Sequence, residues 1–235
     1  MVASSMPPGA AKGQQRRAGE LDLREFLRLA STYRVEPTPL QVEQIQTYVL
    51  ELLRWNQRVN LTAARDPGEV LNRHVLDSLV PLDHLSGARR LLDVGPGGGF
   101  PGIPIKIFRP ELSVVLIEAR RKKAAFNQHI VDMLGLQGVE VVWGRLGDEE
   151  IEQRFVGSPF DSIITRATMS GTRILELTAR LLRPGGTVLL MKGAMVEGQQ
   201  EELQQEARKQ GRSVFRVVPY RLPGTNRTRN LVLIR

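Results

Sequence analysis

A glycine-rich segment, Asp-Val-Gly-Pro-Gly-Gly-Gly-Phe-Pro-Gly, begins at Asp93 and is the part of this 235-residue sequence best suited to binding a ligand. Glycines let the backbone turn sharply and lie against a ligand where a strand ends. Two fingerprints fit the segment. Gly97-x-Gly99-x-x-Gly102 matches dinucleotide-binding loops, whereas Asp93-x-Gly95-x-Gly97-x-Gly99 matches the loops of methyltransferases. Either pattern predicts a cofactor that contains a nucleoside.

Three features favour the methyltransferase pattern. Asp93 precedes the first glycine, where a carboxylate suits a loop amide or an ammonium group better than a pyrophosphate. Pro101 and Pro104 weaken the helix whose amides would have to bind a pyrophosphate. The Leu-Arg-Pro-Gly-Gly turn at 182–186, before the fifth predicted strand, is typical of methyltransferases. Together they favour S-adenosylmethionine over a nicotinamide dinucleotide.

Glu118 lies 25 residues after Asp93, at the end of the second predicted strand. A carboxylate in that position can accept charge-assisted hydrogen bonds from both hydroxyls of a ribose. Because both candidate cofactors contain a ribose, Glu118 does not choose between them. The alternative is an exposed acid at a strand end.

The absence of certain residues limits which atoms could accept the methyl group. The sequence has no cysteine, so it cannot supply the thiolate that methylation of cytosine carbon-5 requires. Residues 164–168 read Ile-Thr-Arg-Ala-Thr, not the Asn/Asp-Pro-Pro-aromatic turn common in methylation of exocyclic amines. The histidines show no catalytic-triad order and no metal-ligand spacing. Guanine N7 fits, because its lone pair is free and proximity, orientation and electrostatics suffice for its attack.

The chain divides into three predicted parts. Residues 1–19 are small, polar and basic and predict a disordered tail. Residues 20–86 predict a helical extension, with helices at 21–30 and 39–55 and one starting after Asp66-Pro67. Residues 87–235 predict one domain in which strands and helices alternate. Its strands are predicted at 90–94, 113–118, 139–143, 161–165, 187–191, 213–218 and 230–234. Its helices are predicted at 101–108, 120–134, 148–155, 171–182 and 196–210.

This alternation predicts a parallel sheet with right-handed crossovers and helices on both faces. The last two strands are joined by a non-helical segment, so we expect an antiparallel pair at one edge. The fold class is therefore α/β, with the layout of class I S-adenosylmethionine-dependent methyltransferases. That is a Rossmann-like, seven-stranded, mostly parallel sheet with one antiparallel edge strand, preceded by the helical segment.

The formal net charge is +8 and is unevenly distributed. Residues 1–19 carry +3, residues 205–235 carry +7, and the remaining chain carries −2. Basic ends predict a polyanionic partner, with a solubility surface as the alternative. The longest apolar run is four residues, which is too short to span a membrane. With the absence of cysteine, this predicts a soluble cytoplasmic protein.

Five segments in order resemble the signatures of one bacterial family, the small-subunit ribosomal RNA guanine-N7 methyltransferases, also called glucose-inhibited division protein B. The resemblance covers about residues 40–235. The segments are Trp55-Asn56-x-x-Val59-Asn60-Leu61-Thr62-Ala63, Arg73-His74-x-Leu76-Asp77-Ser78-Leu79, the glycine loop through Pro104, Arg166-Ala167, and Met191-Lys192-Gly193.

The resemblance implies methyl transfer from S-adenosylmethionine to N7 of a guanine in 16S rRNA of the small ribosomal subunit, guanine 527 in the usual RNA numbering. We expect a monomer and no metal. The implied catalytic residues are Arg166 and Lys192. The expected cofactor-binding residues are Asp93, Gly95, Gly97, Gly99, Phe100, Glu118, Ala119, Arg120, Leu146, Gly147 and Arg166. The expected RNA-binding residues are Arg120, Arg121, Lys122, Lys123, Lys192, Arg227 and Arg229.

Alternatives remain for several of these residues. Arg166 alternatively forms a structural ion pair with Asp93 or Glu118, and Lys192 alternatively is a surface charge. His74 and Asp77 are expected to join the helical segment to the sheet. The family's Arg-x-Glu after the third strand is Arg-Leu-Gly-Asp here, which leaves the adenine-amine contact open. The alternative functions are a ribosome-binding assembly factor without turnover and, less favoured, a nicotinamide-dependent oxidoreductase.

Overall fold

The computed structural model describes residues 23–166, 169–195, 198–223, 225–226 and 228–235. Its centre is a seven-stranded sheet in the order β3-β2-β1-β4-β5-β7-β6. All pairings from β3 to β5 are parallel, and β7 is antiparallel to both β5 and β6. The strands are β1 (Arg90–Val94), β2 (Ser113–Glu118), β3 (Val139–Trp143), β4 (Phe160–Arg166), β5 (Leu182–Lys192), β6 (Val214–Arg221) and β7 (Thr228–Ile234).

Helices precede and connect the strands. The extension contains α1 (Arg24–Thr32), α2 (Pro39–Asn56), α3 (Pro67–Val70), a π-helical segment (Leu71–Val75), α4 (Leu76–Leu79) and a 3-10 turn (Leu82–His84). The connections contain α5 (Gly102–Phe108), α6 (Arg121–Met133), α7 (Glu149–Gln153), α8 (Gly171–Thr178) and α9 (Gln199–Lys209). The alternation predicted from the sequence is confirmed along the described chain.

Local sequence explains where two of the N-terminal helices, α2 and α3, begin. Thr38 and Gln41 form a reciprocal capping box at the start of α2, where Pro39 takes the first helical position. Asp66 caps α3 by accepting a hydrogen bond from the Glu69 N–H at 3.0 Å. Both starts lie where the capping residues predict them.

Alternating strand residues divide the core into two layers. Leu91, Val114 and Ile164 belong to one apolar cluster, with α2, α4, α5 and α6. Their neighbours Leu92 and Val115 belong to the other, with α8 and α9. The sheet therefore has helices on both faces, and the N-terminal helices share a core with the sheet.

The expected fold class is confirmed, with two differences in detail. The reversed strand is β7, which lies one position in from the edge strand β6. The helix predicted at 171–182 ends at Thr178, because Leu181 O accepts a hydrogen bond from Phe160 N at 2.7 Å and the chain joins the sheet. The predicted tail at 1–19 lies outside the described residues.

Candidate cofactor cleft and basic rim

A cleft of about 530 Å³ opens at the carboxyl ends of β1, β2 and β3. It lies beside the switch point of the sheet, where β1 is flanked by β2 on one side and β4 on the other. Ligands of open α/β sheets bind at such a point. The lining residues are Val94, Gly95, Gly97, Ile117, Glu118, Ala119, Arg120, Lys123, Gly144, Arg145, Leu146, Met169, Arg173 and Leu177.

Asp93 supports the glycine loop from beneath. Its Oδ2 accepts a hydrogen bond from the Gly102 N–H at 2.7 Å. A Cβ on Gly102 would lie 2.4 Å from Leu116 and 2.7 Å from that oxygen, so only glycine fits there. Complete burial raises the pKa of Asp93 to about 7, although the Gly102 hydrogen bond and the charge of Arg166 oppose the shift.

Glu118 joins the loop to the start of α6. One carboxylate oxygen accepts from the Gly97 N–H at 2.9 Å and the other from the Arg120 N–H at 2.8 Å. Gly97 has a φ of +60°, which a glycine adopts without strain. A carboxylate has about four lone-pair sites, so two remain for hydroxyl groups in the cleft. Glu118 therefore shapes the loop and still faces the cleft.

The cleft fits S-adenosylmethionine. Its volume lies in the usual range for small-molecule sites. Ile117, Leu146 and Leu177 form apolar walls suited to an adenine ring. Glu118 offers acceptors for ribose hydroxyls. Beneath the loop, Asp93 Oδ1 is buried and has no hydrogen-bond partner among the described residues.

The predicted cofactor residues fall into two groups. Those that line the cleft are Gly95, Gly97, Glu118, Ala119, Arg120 and Leu146. Those that lie outside its described lining are Asp93, Gly99, Phe100, Gly147 and Arg166. The cofactor-binding assignments of both groups stay predictions. Asp93 still acts on the site, through the loop that it holds.

Sequence reasoning missed part of the lining. Gly144 and Arg145 directly precede the expected Leu146, so adjacency could have indicated them. Arg173 and Leu177 come from α8, which the chain reaches only after two further elements. No local pattern marks α8 as a wall of the cleft, because only the crossover from β4 to β5 brings it there.

Arg166 and Phe100 belong to a buried cluster next to the cleft. The Arg166 guanidinium carbon lies 5.1 Å from the centre of the Phe100 ring. Its Nη1 pairs at 3.1 Å with Asp77, which is fully buried. Tyr220 donates to the other Asp77 oxygen at 2.7 Å, and Arg229 Nη2 lies 3.3 Å from the first. Arg166 therefore forms a structural ion pair, but its partner is Asp77 and not the expected Asp93 or Glu118.

His74 packs against Phe100 of the same cluster. Its ring stacks on Phe100 with centres 4.8 Å apart, and Nε2 lies 2.6 Å from the Thr62 hydroxyl. Burial and then the nearby Arg166 lower the pKa of His74 to about 3. This neutral, half-buried imidazole joins the helical extension to the glycine loop, whereas the sequence predicted a link to the sheet.

Lys192 lines a second, smaller cavity of about 220 Å³ at the ends of β4 and β5. Its described lining includes Thr165, Met169, Gly171 and Gln199. Met169 also lines the cleft, so the two cavities are neighbours. Lys192 is the only titratable residue among the described residues of this lining.

Basic side chains border the cleft at the start of α6. Arg120 and Lys123 line it directly. Arg121 lies over the exposed Trp143 ring at 5.3 Å, and Lys122 is exposed. Elsewhere, Arg229 pairs with Asp77 and is about one-quarter exposed, at 26%. The predicted RNA contact Arg227 lies outside the described residues.

The described residues contain neither a candidate metal site nor a candidate membrane span. No three His, Cys, Asp or Glu side chains there are grouped so that they could hold a metal ion. In the same residues, no helix has the length and hydropathy needed to cross a lipid bilayer.

The sheet order, the cleft and the glycine loop together define a Rossmann-like methyltransferase fold. A solved O-methyltransferase from Bacillus cereus in complex with SAH has this fold, with a TM-score of 0.58 and 20% identity, covering 80% of this chain and 90% of that one. Residues 41–231 match the model of the GidB family, rRNA small subunit methyltransferase G. This chain belongs to that family.

Curated relatives agree with the family assignment. The ribosomal RNA small subunit methyltransferase G of Chromobacterium violaceum is 40% identical over 198 residues, covering 84% of this chain and 90% of that protein. The protein of the same name from Roseiflexus castenholzii is 38% identical over 213 residues, covering 89% of each. The resemblance seen in the five sequence segments is confirmed.

Proposed function

We propose that this protein is an S-adenosylmethionine-dependent methyltransferase that methylates N7 of guanine 527 in 16S rRNA. The observation that carries the proposal is the family match over residues 41–231, together with a nucleoside-sized cleft at the switch point. The cofactor, when bound, supplies an electrophilic methyl group.

The residues of the chain would hold and orient the cofactor. Glu118 would accept hydrogen bonds from the ribose hydroxyls while keeping its bonds to Gly97 and Arg120. Asp93 would hold the glycine loop in place through Gly102. Leu146 would contact the adenine. Orientation of this kind supplies much of the rate of a direct methyl transfer.

The acceptor is proposed to enter the cavity that contains Lys192. Its described lining offers no carboxylate or imidazole to remove a proton. Guanine N7 needs no such group, because its lone pair attacks without losing a proton. Arg166 and Lys192 remain the proposed catalytic residues at this junction, where they would position the base and its phosphates.

The basic side chains are proposed to hold the RNA. Arg120 and Lys123 line the cleft, and the exposed Arg121 and Lys122 lie between them in sequence, so phosphates bound there would lie next to the methyl group. Lys192, Arg227 and Arg229 complete the proposed set. We further propose that the protein acts as a cytoplasmic monomer on the small ribosomal subunit.

Labelled S-adenosylmethionine tests the proposal. Purified protein is incubated with small subunits, with 16S rRNA and with partly assembled particles, and the label in RNA is counted. The modified base is then located by borohydride reduction and aniline cleavage, which cut RNA at N7-methylguanine. We expect one cut, at the target guanine.

Other outcomes would support the alternatives. RNA binding without incorporated label would indicate a non-catalytic assembly factor. Binding of NADH but not of S-adenosylhomocysteine would indicate an oxidoreductase. Label at any atom other than guanine N7 would contradict the proposed acceptor.

A further inference from the structure

A third cavity, of about 480 Å³, lies between the end of α2 and the outer side of α6. We refer to it as the Trp55 pocket. It is separate from both cavities described above and shares none of their lining residues. Its lining residues are Glu51, Arg54, Trp55, Gln57, Arg58, Val59 and His129.

The aromatic side chain of this pocket, Trp55, packs against two other rings. The Trp55 ring packs against buried Phe126, with centres 5.5 Å apart, and against His129 at 5.1 Å. Glu51 Oε2 holds His129 Nε2 at 3.1 Å. The Trp55 ring is therefore fixed in place while part of its surface faces the pocket.

Two polar groups in the pocket are available to a ligand. The Trp55 indole N–H is not buried and has no hydrogen-bond partner among the described residues. Arg58 is exposed and forms no ion pair within the same described chain. A ligand that complements them has a flat ring, a hydrogen-bond acceptor and a negative charge, as an unstacked nucleotide does.

The position of the pocket links it to the proposed RNA rim. Lys122 and His129 are seven residues apart on α6, which places them on the same side of the helix and about 10 Å apart along its axis. That distance corresponds to about three steps of a stacked strand. An RNA strand that crosses the start of α6 can therefore reach the pocket.

We propose that the Trp55 pocket is an RNA subsite that binds one unstacked nucleotide near the target guanine, its base on Trp55 and its phosphate on Arg58. That the ligand of this subsite is RNA rests on the proposed function. It would contribute to RNA affinity and not to methyl transfer itself.

The fluorescence of the unmodified Trp55 side chain tests the subsite. The sequence has two tryptophans, so in a Trp143→Phe parent the emission comes from Trp55 alone. Short single-stranded RNA, added with S-adenosylhomocysteine present, should quench this emission. Quenching by an acidic peptide but not by RNA would assign the pocket to a protein partner and overturn the proposal.

Kinetics give a second test. Trp55→Leu, which keeps an apolar group against Phe126, should raise the KM for RNA about tenfold. Its kcat at saturating RNA and its affinity for S-adenosylhomocysteine should not change. Trp55→Phe should recover most of the loss, because a ring is restored. An unaltered KM for RNA in Trp55→Leu would overturn the proposal.

Arg58→Gln provides a variant at an exposed position, where folding is not at risk. It should raise the KM for RNA and lower its salt dependence, whereas Arg180→Gln, at an exposed position in the turn after α8, should do neither. If the wild-type protein methylates no RNA, the proposed function itself fails. If it methylates RNA but Arg58→Gln and Trp55→Leu behave as the wild type, only the subsite fails.

Discussion

Asp77 and Arg166 lie 89 positions apart in sequence and form an ion pair, Oδ2 to Nη1, at 3.1 Å. Asp77 belongs to the N-terminal helices and is fully buried, whereas Arg166 ends β4 beside the cleft. Tyr220 and Arg229, from β6 and β7, contact the same carboxylate. One side chain of the helical extension thus connects to three strands at the functional edge of the sheet.

Asp77→Asn should lower the free energy of unfolding by about 3 kcal/mol, because the partly buried guanidinium groups of Arg166 and Arg229 lose a fully buried counter-ion. Urea denaturation measures the change. Glu140→Gln is the matched control, since Glu140 pairs with Arg154 at the surface and should cost less than about 1 kcal/mol. Equal losses in the two variants would contradict a special role for Asp77.

Glu118→Ala should weaken the binding of S-adenosylhomocysteine by about 1.5–3 kcal/mol, since charge-assisted hydrogen bonds to the ribose and the hold on Gly97 are both lost. Isothermal calorimetry on the purified protein measures this. Glu140→Gln, outside the cleft, should bind as the wild type does. Unchanged affinity in Glu118→Ala would show that the ribose assignment is wrong.

Because of Asp93, the free energy of unfolding should decrease as pH rises. Burial raises its pKa to about 7 in the folded protein, whereas its ordinary value is 3.8. Between these values the folded state keeps a proton that the unfolded state has lost, so increasing pH favours unfolding. Relative to Asp93→Asn, the wild type should lose stability from about pH 4 to about pH 7 and then level off. Parallel curves for the two proteins would disprove the shift.

Lys122→Gln should reduce the magnitude of the slope of log K for RNA binding against log salt concentration by about 0.7–0.9, because one phosphate contact is lost. Arg229→Gln should reduce it less, since Asp77 already compensates part of the Arg229 charge. Filter binding over a series of salt concentrations gives both slopes. A larger effect at Arg229 would mean that RNA displaces the ion pair with Asp77.

Local sequence predicted much of the fold. β1, β2 and β3 begin and end at the predicted residues, because each is a short, mostly apolar segment bounded by turns or charges. The glycine loop and the strand-end Glu118 also identified the centre of the cleft. Local sequence was sufficient to predict these features, because each of them depends on residues that are close together in the chain.

The sequence by itself thus determined the strand–helix alternation, the position of the glycine loop and the family. Only the tertiary structure decided that Arg173 and Leu177 form a wall of the cleft and that Asp77 is the partner of Arg166. Both results depend on contacts between segments far apart in the chain. Charge and periodicity reveal that a residue needs a partner, but only the packing of helices against the sheet selects which one.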